Sequence, residues 1–577
     1  MWAHILVCLC VASTLLVEAQ GQDGNSTTKL VNSTQGLILG HKAPNYDVFE
    51  FLNIPYATAP TGVNKFKAPL PPPSWNDTFD ALDRGIICPQ LNLATPDPNI
   101  QIIEDCLVAN VYVPDTNDTN LPVVVLIHGG SYNFGFGAMV SPNVLVDSKK
   151  IIAVSFNYRL GIYGFLCLGT EVAPGNAGMK DQIALLRWVR DNIASFGGNP
   201  EDVTIGGCSA GGSSVDTLML SKMSIGLYHK VISESGCSLS QFAIQMDPLE
   251  NAKQHAVSLN FTNANNIDAL GEFYASLSLD VLTASAAMNV ASGRPYVLFQ
   301  PCVEKDLGGG EEMFLEEAPI NIWRKGSYMK VPTLYGYTDK EGMHLAQFLT
   351  VFQMNEMNTQ FWNFLPVDLK FDNEERRNSV GIAARDFYFG GEVNASKVVE
   401  FIDFMTDTIF SHSILRAVSL QIEAGNDQVY LYEYGFMKNN SVNSPVLGDA
   451  HCEQAAVALG ILGDNPSDEL LAVSEKMGEI YLNFITTGSP TPQNSSLLES
   501  WPVWPSVNAT ASRSPYYLIR NITEVLSYPI KERAEFWDKV YLENDIRIPV
   551  SPSNSAFTIV FNKLWLLSAI VVALSFK

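Results

Sequence analysis

Three apolar runs in the first half of the chain set the pattern: Pro122 to Ile127 (PVVVLI), Ile151 to Phe156 (IIAVSF) and Val203 to Ile205, the last running into a glycine pair. A strand with one wet face alternates apolar and polar residues. Uninterrupted runs predict strands buried on both faces, as in a parallel sheet. Between the second and third runs, Asp181 to Phe196 places Ile183, Leu186, Trp188, Val189 and Ile193 at helical spacing, and Gly197-Gly198 stops it. Strand, helix and strand in that order predict a parallel crossover unit. No internal repeat, low-complexity tract or dividing linker follows Lys29. The pattern predicts one large α/β domain with a mostly parallel central sheet flanked by helices.

The two ends read differently. Ile5 to Val17 is apolar but too short to span a bilayer, and Val17-Glu18-Ala19 ends on a small residue. This predicts a secretory signal peptide over residues 1–19. At the other end, the small residues Ser553, Asn554 and Ser555 precede a spacer and the apolar run Leu564 to Phe576. That order predicts a glycosylphosphatidylinositol signal, with the lipid on Ser553 or Asn554 and the tail to residue 577 removed. A short transmembrane tail is the alternative. The folded domain would then occupy residues 20–553, outside the cell and anchored to the membrane.

Composition narrows the classes further. With 47% hydrophobic and 17% charged residues among 577, the chain is neither disordered, coiled coil nor a disulfide mini-scaffold. A net charge of −24 repels phosphate backbones, which argues against nucleic-acid partners. Secretion gives meaning to sequons at Asn25, Asn32, Asn76, Asn117, Asn260, Asn394, Asn439, Asn494, Asn508 and Asn521. Loss of Cys8 and Cys10 with the leader leaves Cys88, Cys106, Cys167, Cys208, Cys237, Cys302 and Cys452 in an oxidising compartment. Their number is odd, so at least one thiol stays unpaired within the chain.

The chemistry begins at Gly207-Cys208-Ser209-Ala210-Gly211, directly after the third strand. In such a strand–turn–helix elbow the serine projects from the carboxyl end of the sheet, and glycines two residues either side let the backbones crowd together. Backbone N–H groups near that serine would hold an oxyanion. Ala210 supplies one, and Gly129 and Gly130, following the first strand, supply others. His128 precedes the nucleophile, the wrong order for the base of this kind of fold, and is expected to be structural.

The chain resembles a type-B carboxylesterase of the carboxylesterase/cholinesterase family, with the α/β-hydrolase fold, from about Gly36 to Tyr541. FLNIPYATAP at Phe51, EDCLVANVYVP at Glu104, HGGSYNFGFG at His128, NYRLGIYGFL at Asn157 and GNAGMKDQIALLRWVRDNIASFGGNP at Gly175 are close to family form, with Asn53 in place of a glycine. GYTDKEGMHL resembles the acid segment and implies Glu341; Asp339 is the local rival, and the following Gly342 favours Glu341. GDAHCEQ resembles the histidine loop and implies His451. His344 lies too close to the acid in sequence, and His412 sits in an apparent helix. The resemblance implies a Ser209–His451–Glu341 triad, an acyl-enzyme, and no metal or organic cofactor.

Departures from the family bear on substrate and on cysteines. Cys208 replaces a glutamate before the serine, and Cys452 a glycine after the histidine. The Cys88 to Cys106 stretch lacks the tryptophan with which cholinesterases bind choline. A small or medium uncharged carboxylic ester is the expected small-molecule partner. The alternative is a non-catalytic or slowly turning over cell-surface adhesion or sequestering protein. By resemblance Cys88 pairs with Cys106. Cys208 and Cys452 each adjoin a triad residue, so bringing Ser209 and His451 together makes their disulfide feasible, as in tannases and feruloyl esterases; two unpaired thiols are the alternative. Cys237 with Cys302 is a weaker expectation that leaves Cys167 unpaired.

Overall fold

A computed structural model describes residues 27–90, 99–285, 299–436, 448–507, 513, 515–520, 522–527 and 529–552. The leader, the tail with Ser553 and Asn554, and the sequons at Asn25, Asn439, Asn508 and Asn521 lie outside them.

The strands of the main sheet are β1 (Thr28–Ser33), β2 (Gly36–Lys42), β3 (Val48–Pro55), β4 (Val108–Pro114), β5 (Leu121–Ile127), β6 (Ile152–Phe156), β7 (Gly198–Cys208), β8 (Lys230–Glu234), β9 (Thr333–Thr338), β10 (Val429–Tyr434), β11 (Tyr516–Ile519) and β12 (Glu524–Leu526). They lie in the order β1-β2-β3-β4-β6-β5-β7-β8-β9-β10-β11-β12, with a short strand, Phe79–Asp80, beside β2. From β6 to β11 every pairing is parallel. The flanks are antiparallel.

The three apolar runs are β5, β6 and the middle of β7. Alternate residues of β5 feed two cores. Val123, Val125 and Ile127 pack in the cluster that holds Met179, Ile183, Leu186, Trp188 and Val189 of helix α1 (Ala177–Asn192). Val124 and Leu126 pack in the cluster that holds Met477, Ile480, Tyr481 and Phe484 of helix α4 (Asp468–Thr487). Full burial of such side chains contributes about 1.5–3 kcal/mol each, which is why an unbroken apolar run settles in the middle of the sheet. Helix α1 starts four residues before the expected Asp181. Its last turn, Ile193–Phe196, tightens to a 3-10 helix, and Gly197 ends it at φ 92°. The crossover from β6 to β7 passes over β5, which lies between them in the sheet.

Local substitutions follow backbone needs. Asn53 stands in the glycine position of its motif and adopts φ 58°, a left-handed conformation that Asn tolerates. The sequons at Asn32, Asn76, Asn117, Asn260, Asn394 and Asn494 are all exposed. No helix among the described residues is long and apolar enough to cross a membrane.

Three disulfides form among the described residues. Cys88–Cys106 and Cys208–Cys452 are the expected ones, with Cα atoms 5.0 Å and 6.0 Å apart. The third corrects the sequence expectation: Cys302 pairs with Cys167, not Cys237, and Cys237 is a buried free thiol. Gly175 leaves room for this bridge. At φ 115° it turns the chain so tightly that a Cβ there would lie 2.7 Å from the Cys167 sulfur and 2.8 Å from that of Cys302. Asn176 then fixes Cys302 by exchanging hydrogen bonds with its backbone N–H and carbonyl, both at 2.8 Å.

Candidate active site

Strand β7 ends at Cys208, and Ser209 turns the chain into helix α2 (Ala210–Leu218). Ser209 sits at φ 62°, ψ −122°, a strained region for a residue with a Cβ. Neighbouring backbone holds it there. Its N–H donates to Glu234 O at 2.9 Å, and its carbonyl accepts from Ser213 N at 2.8 Å. A Cβ on Gly211 would lie 2.1 Å from Ile127 O, so the helix can approach β5 only with glycine at that position. Ser209 remains partly accessible while Ala210 is fully buried at the head of α2.

The glycine segment after β5 lies against the elbow. A Cβ on Gly129 would sit 2.7 Å from Cys208 O and 3.1 Å from Ser209 Cβ; Gly130 follows at φ 108°. His128 is buried, stacks on Tyr158, and contacts Gly129 O through Nδ1 at 2.8 Å. Burial lowers it to about 4, so it is neutral and structural, as the chain order implied. His412 is packed as expected, with Nε2 3.0 Å from Asp538.

Glu341 opens a 3-10 helix, Glu341–Phe348, just past β9, and is fully buried. One carboxylate oxygen accepts from Thr338 N at 2.8 Å and Ser235 Oγ at 2.6 Å. The other lies 2.5 Å from His451 Nδ1. Asp339, the local rival, turns away and accepts from the Asp449 N–H. His451 is brought to the elbow from 242 positions downstream by the Cys208–Cys452 bridge, whose partners sit one before Ser209 and one after His451. Cys452 holds φ 66° where the family motif has glycine. Among the described residues no hydrogen bond closes the last gap, from Ser209 Oγ to the imidazole. Such links often tighten only when substrate is bound.

Two rings flank His451 that the sequence did not place there. Phe410 packs at 4.5 Å between centroids, and the exposed His344 stacks at 5.0 Å. His344 is three residues past Glu341, and the 3-10 helix turns it towards His451. Ser235 was also missed. It follows β8 at φ 50°, a conformation with no sequence signature. No group of His, Cys, Asp and Glu among the described residues could hold a metal ion.

The model of the carboxylesterase family matches residues 27–537. The chain belongs to the carboxylesterase family. Its carboxylesterase relatives include venom carboxylesterase-6 of Apis mellifera, 31% identical over 509 residues, which span 83% of this chain and 87% of that protein. Juvenile hormone esterase of Tribolium castaneum is 30% identical, with 81% and 84% covered. Among solved structures, juvenile hormone esterase from Manduca sexta with OTFP covalently attached superposes with a TM-score of 0.78 at 27% identity, covering 89% of this chain and all of that one. This carboxylesterase is thus an α/β-hydrolase and a carboxylic ester hydrolase, and nothing favours the alternative of a non-catalytic surface protein.

Proposed function

We propose that the chain hydrolyses small or medium uncharged carboxylic esters by acyl transfer through Ser209. His451 takes the hydroxyl proton as Ser209 attacks the ester carbonyl, while Glu341 orients the ring and stabilises the imidazolium. N–H groups of Gly129, Gly130 and Ala210 receive the oxyanion. The alcohol leaves with the proton from His451. Water, deprotonated by the same ring, then attacks the acyl-Ser209 ester and releases the acid. The buried 2.5 Å contact of Glu341 with His451 carries this reading. The absence of Trp, Tyr and Phe from the Cys88 to Cys106 stretch supports a neutral substrate over a choline ester. A panel of p-nitrophenyl esters tests it: a burst of p-nitrophenol should precede steady turnover, and Ser209→Ala should lower kcat on the order of 10⁴-fold or more. Retained hydrolysis in that variant would overturn the assignment.

The same reading extends to location. The three disulfides fit an extracellular protein. Cleavage near Ala19, glycans on the sequons and a lipid on Ser553 or Asn554 would leave a mature domain of residues 20–553 on the cell surface; the exposure of the six described sequon asparagines supports the glycans. Phosphatidylinositol-specific phospholipase C should release activity from intact cells. Activity that stays with the cells, on a chain still carrying its apolar tail, would refute the anchor.

A further inference from the structure

Glu234 ends β8 and is 1% exposed, beside the site but outside the triad. It touches all three segments that supply the triad. Its carbonyl accepts the Ser209 N–H, and it stands level with Cys208 in the β7–β8 register. Its carboxylate accepts three donors from three other elements. Tyr432 of β10 reaches both oxygens at 2.9 Å, Tyr481 of α4 reaches one at 3.0 Å, and Gln454 Nε2 reaches the other at 3.1 Å. Gln454 belongs to helix α3 (Glu453–Ala458), three residues past His451.

From Gln454 the network runs on into the triad. Its amide also donates to Ser235 Oγ at 2.6 Å, and Ser235 donates to Glu341 at 2.6 Å. An amide nitrogen can only donate, so the Ser235 proton is left for Glu341. Glu234, Gln454, Ser235, Glu341 and His451 therefore form one hydrogen-bonded path. Among the described residues no cation pairs with Glu234; the titratable groups facing it are Tyr432, Tyr481 and Glu341. Burial, with the Glu341 charge behind it, pushes its carboxyl up to about 7 against the three donors.

We propose that Glu234 is a positioning residue for the hydrolysis: a buried second carboxylate that registers the nucleophile, acid and base segments and lends negative charge to the Glu341–His451 pair as the imidazolium forms. This rests on the roles given above to Ser209, Glu341 and His451.

The test is the pH profile of kcat/KM for p-nitrophenyl acetate, normalised to sites titrated with a diethyl phosphoryl inhibitor. Glu234→Gln keeps the shape and removes the charge, so the imidazole loses its proton more readily. The acidic limb should move to lower pH by up to about half a unit, because a carboxyl that titrates near 7 carries only part of its charge there, with KM changed less than about twofold. Tyr481→Phe removes one donor, disfavours the carboxylate, and should move the limb the same way by less. Glu234→Asp, which restores the charge, should bring it back towards wild type. A purely structural role would lower the number of titratable sites and leave the limb in place. An unmoved limb in both Glu234→Gln and Tyr481→Phe overturns the proposal, and Tyr481→Phe alone decides if the other variant does not fold. Failure of the inhibitor to label Ser209 in the wild-type protein would instead remove the triad assignment itself, so the two failures are separable.

Discussion

At the elbow, Ser209 holds a strained backbone because β5, β8 and α2 leave the chain no other path; in the histidine loop, His451 is placed by side chains that arrive from far away in sequence. The elbow is a matter of local sterics: a glycine with a carbonyl 2.1 Å from its missing Cβ, and backbone bonds to Glu234 and Ser213. The histidine loop relies on the Cys208–Cys452 bridge, the Glu341 carboxylate, and packing by Phe410 and His344. One half should therefore fail abruptly when backbone space is lost. The other should loosen by degrees as tethers are cut.

The largest effect is expected at the elbow. Gly211→Ala forces α2 away from Ile127, and a displacement of about 1 Å at the nucleophile lowers kcat on the order of 10²-fold or more. Steady-state kinetics per folded molecule, with folding followed by circular dichroism, checks it. Near-normal kcat would show that the elbow has room the structure does not show.

Cutting the bridge should do less to the chemistry. Cys208→Ala with Cys452→Ala should lower kcat on the order of tenfold and leave KM within about twofold, because His451 is less well held while the elbow is intact. Stability is another matter. The bridge spans 244 residues, and loop-closure entropy could contribute up to roughly 5 kcal/mol. A clear fall in melting temperature beside a modest fall in kcat is the expected split. Unchanged kcat would leave the tethers at Glu341 sufficient alone.

The smallest effect concerns pH. Glu234 is raised in the folded state to about 7 from an ordinary 4.5. Its contribution to stability is thus fully present below about pH 4.5 and lost as pH rises through about 7. Between pH 5 and 7.5 the melting temperature of Glu234→Gln should fall less steeply than that of wild type. Parallel curves would contradict a titrating Glu234.

The same contrast decides what the sequence could reveal. The elbow was legible because its cause is local: β7, the G-C-S-A-G turn and the helix lie within twenty-one residues, Gly198 to Leu218. Glu341 and His451 were legible only through family motifs. The Cys208–Cys452 bridge could be inferred because a proposed Ser209–His451 pairing constrains both neighbours at once. Cys302 had no such constraint, and the turn at Gly175 that brings Cys167 to it has no short-range signature. His344 was set aside for its closeness to Glu341, a rule that bears on its being the base but not on its being a ring packed against His451. Glu234 and Gln454 gave no signal, since a buried carboxylate's donors come from strands and helices that meet only in the fold.

The most direct test of the account is covalent labelling with diethyl p-nitrophenyl phosphate followed by peptide mapping under non-reducing conditions. It should find one diethyl phosphoryl group per chain, on Ser209, in a peptide still joined through Cys208 to the Cys452 peptide that carries His451. A label on another residue, or an active enzyme with no label on Ser209, would contradict it.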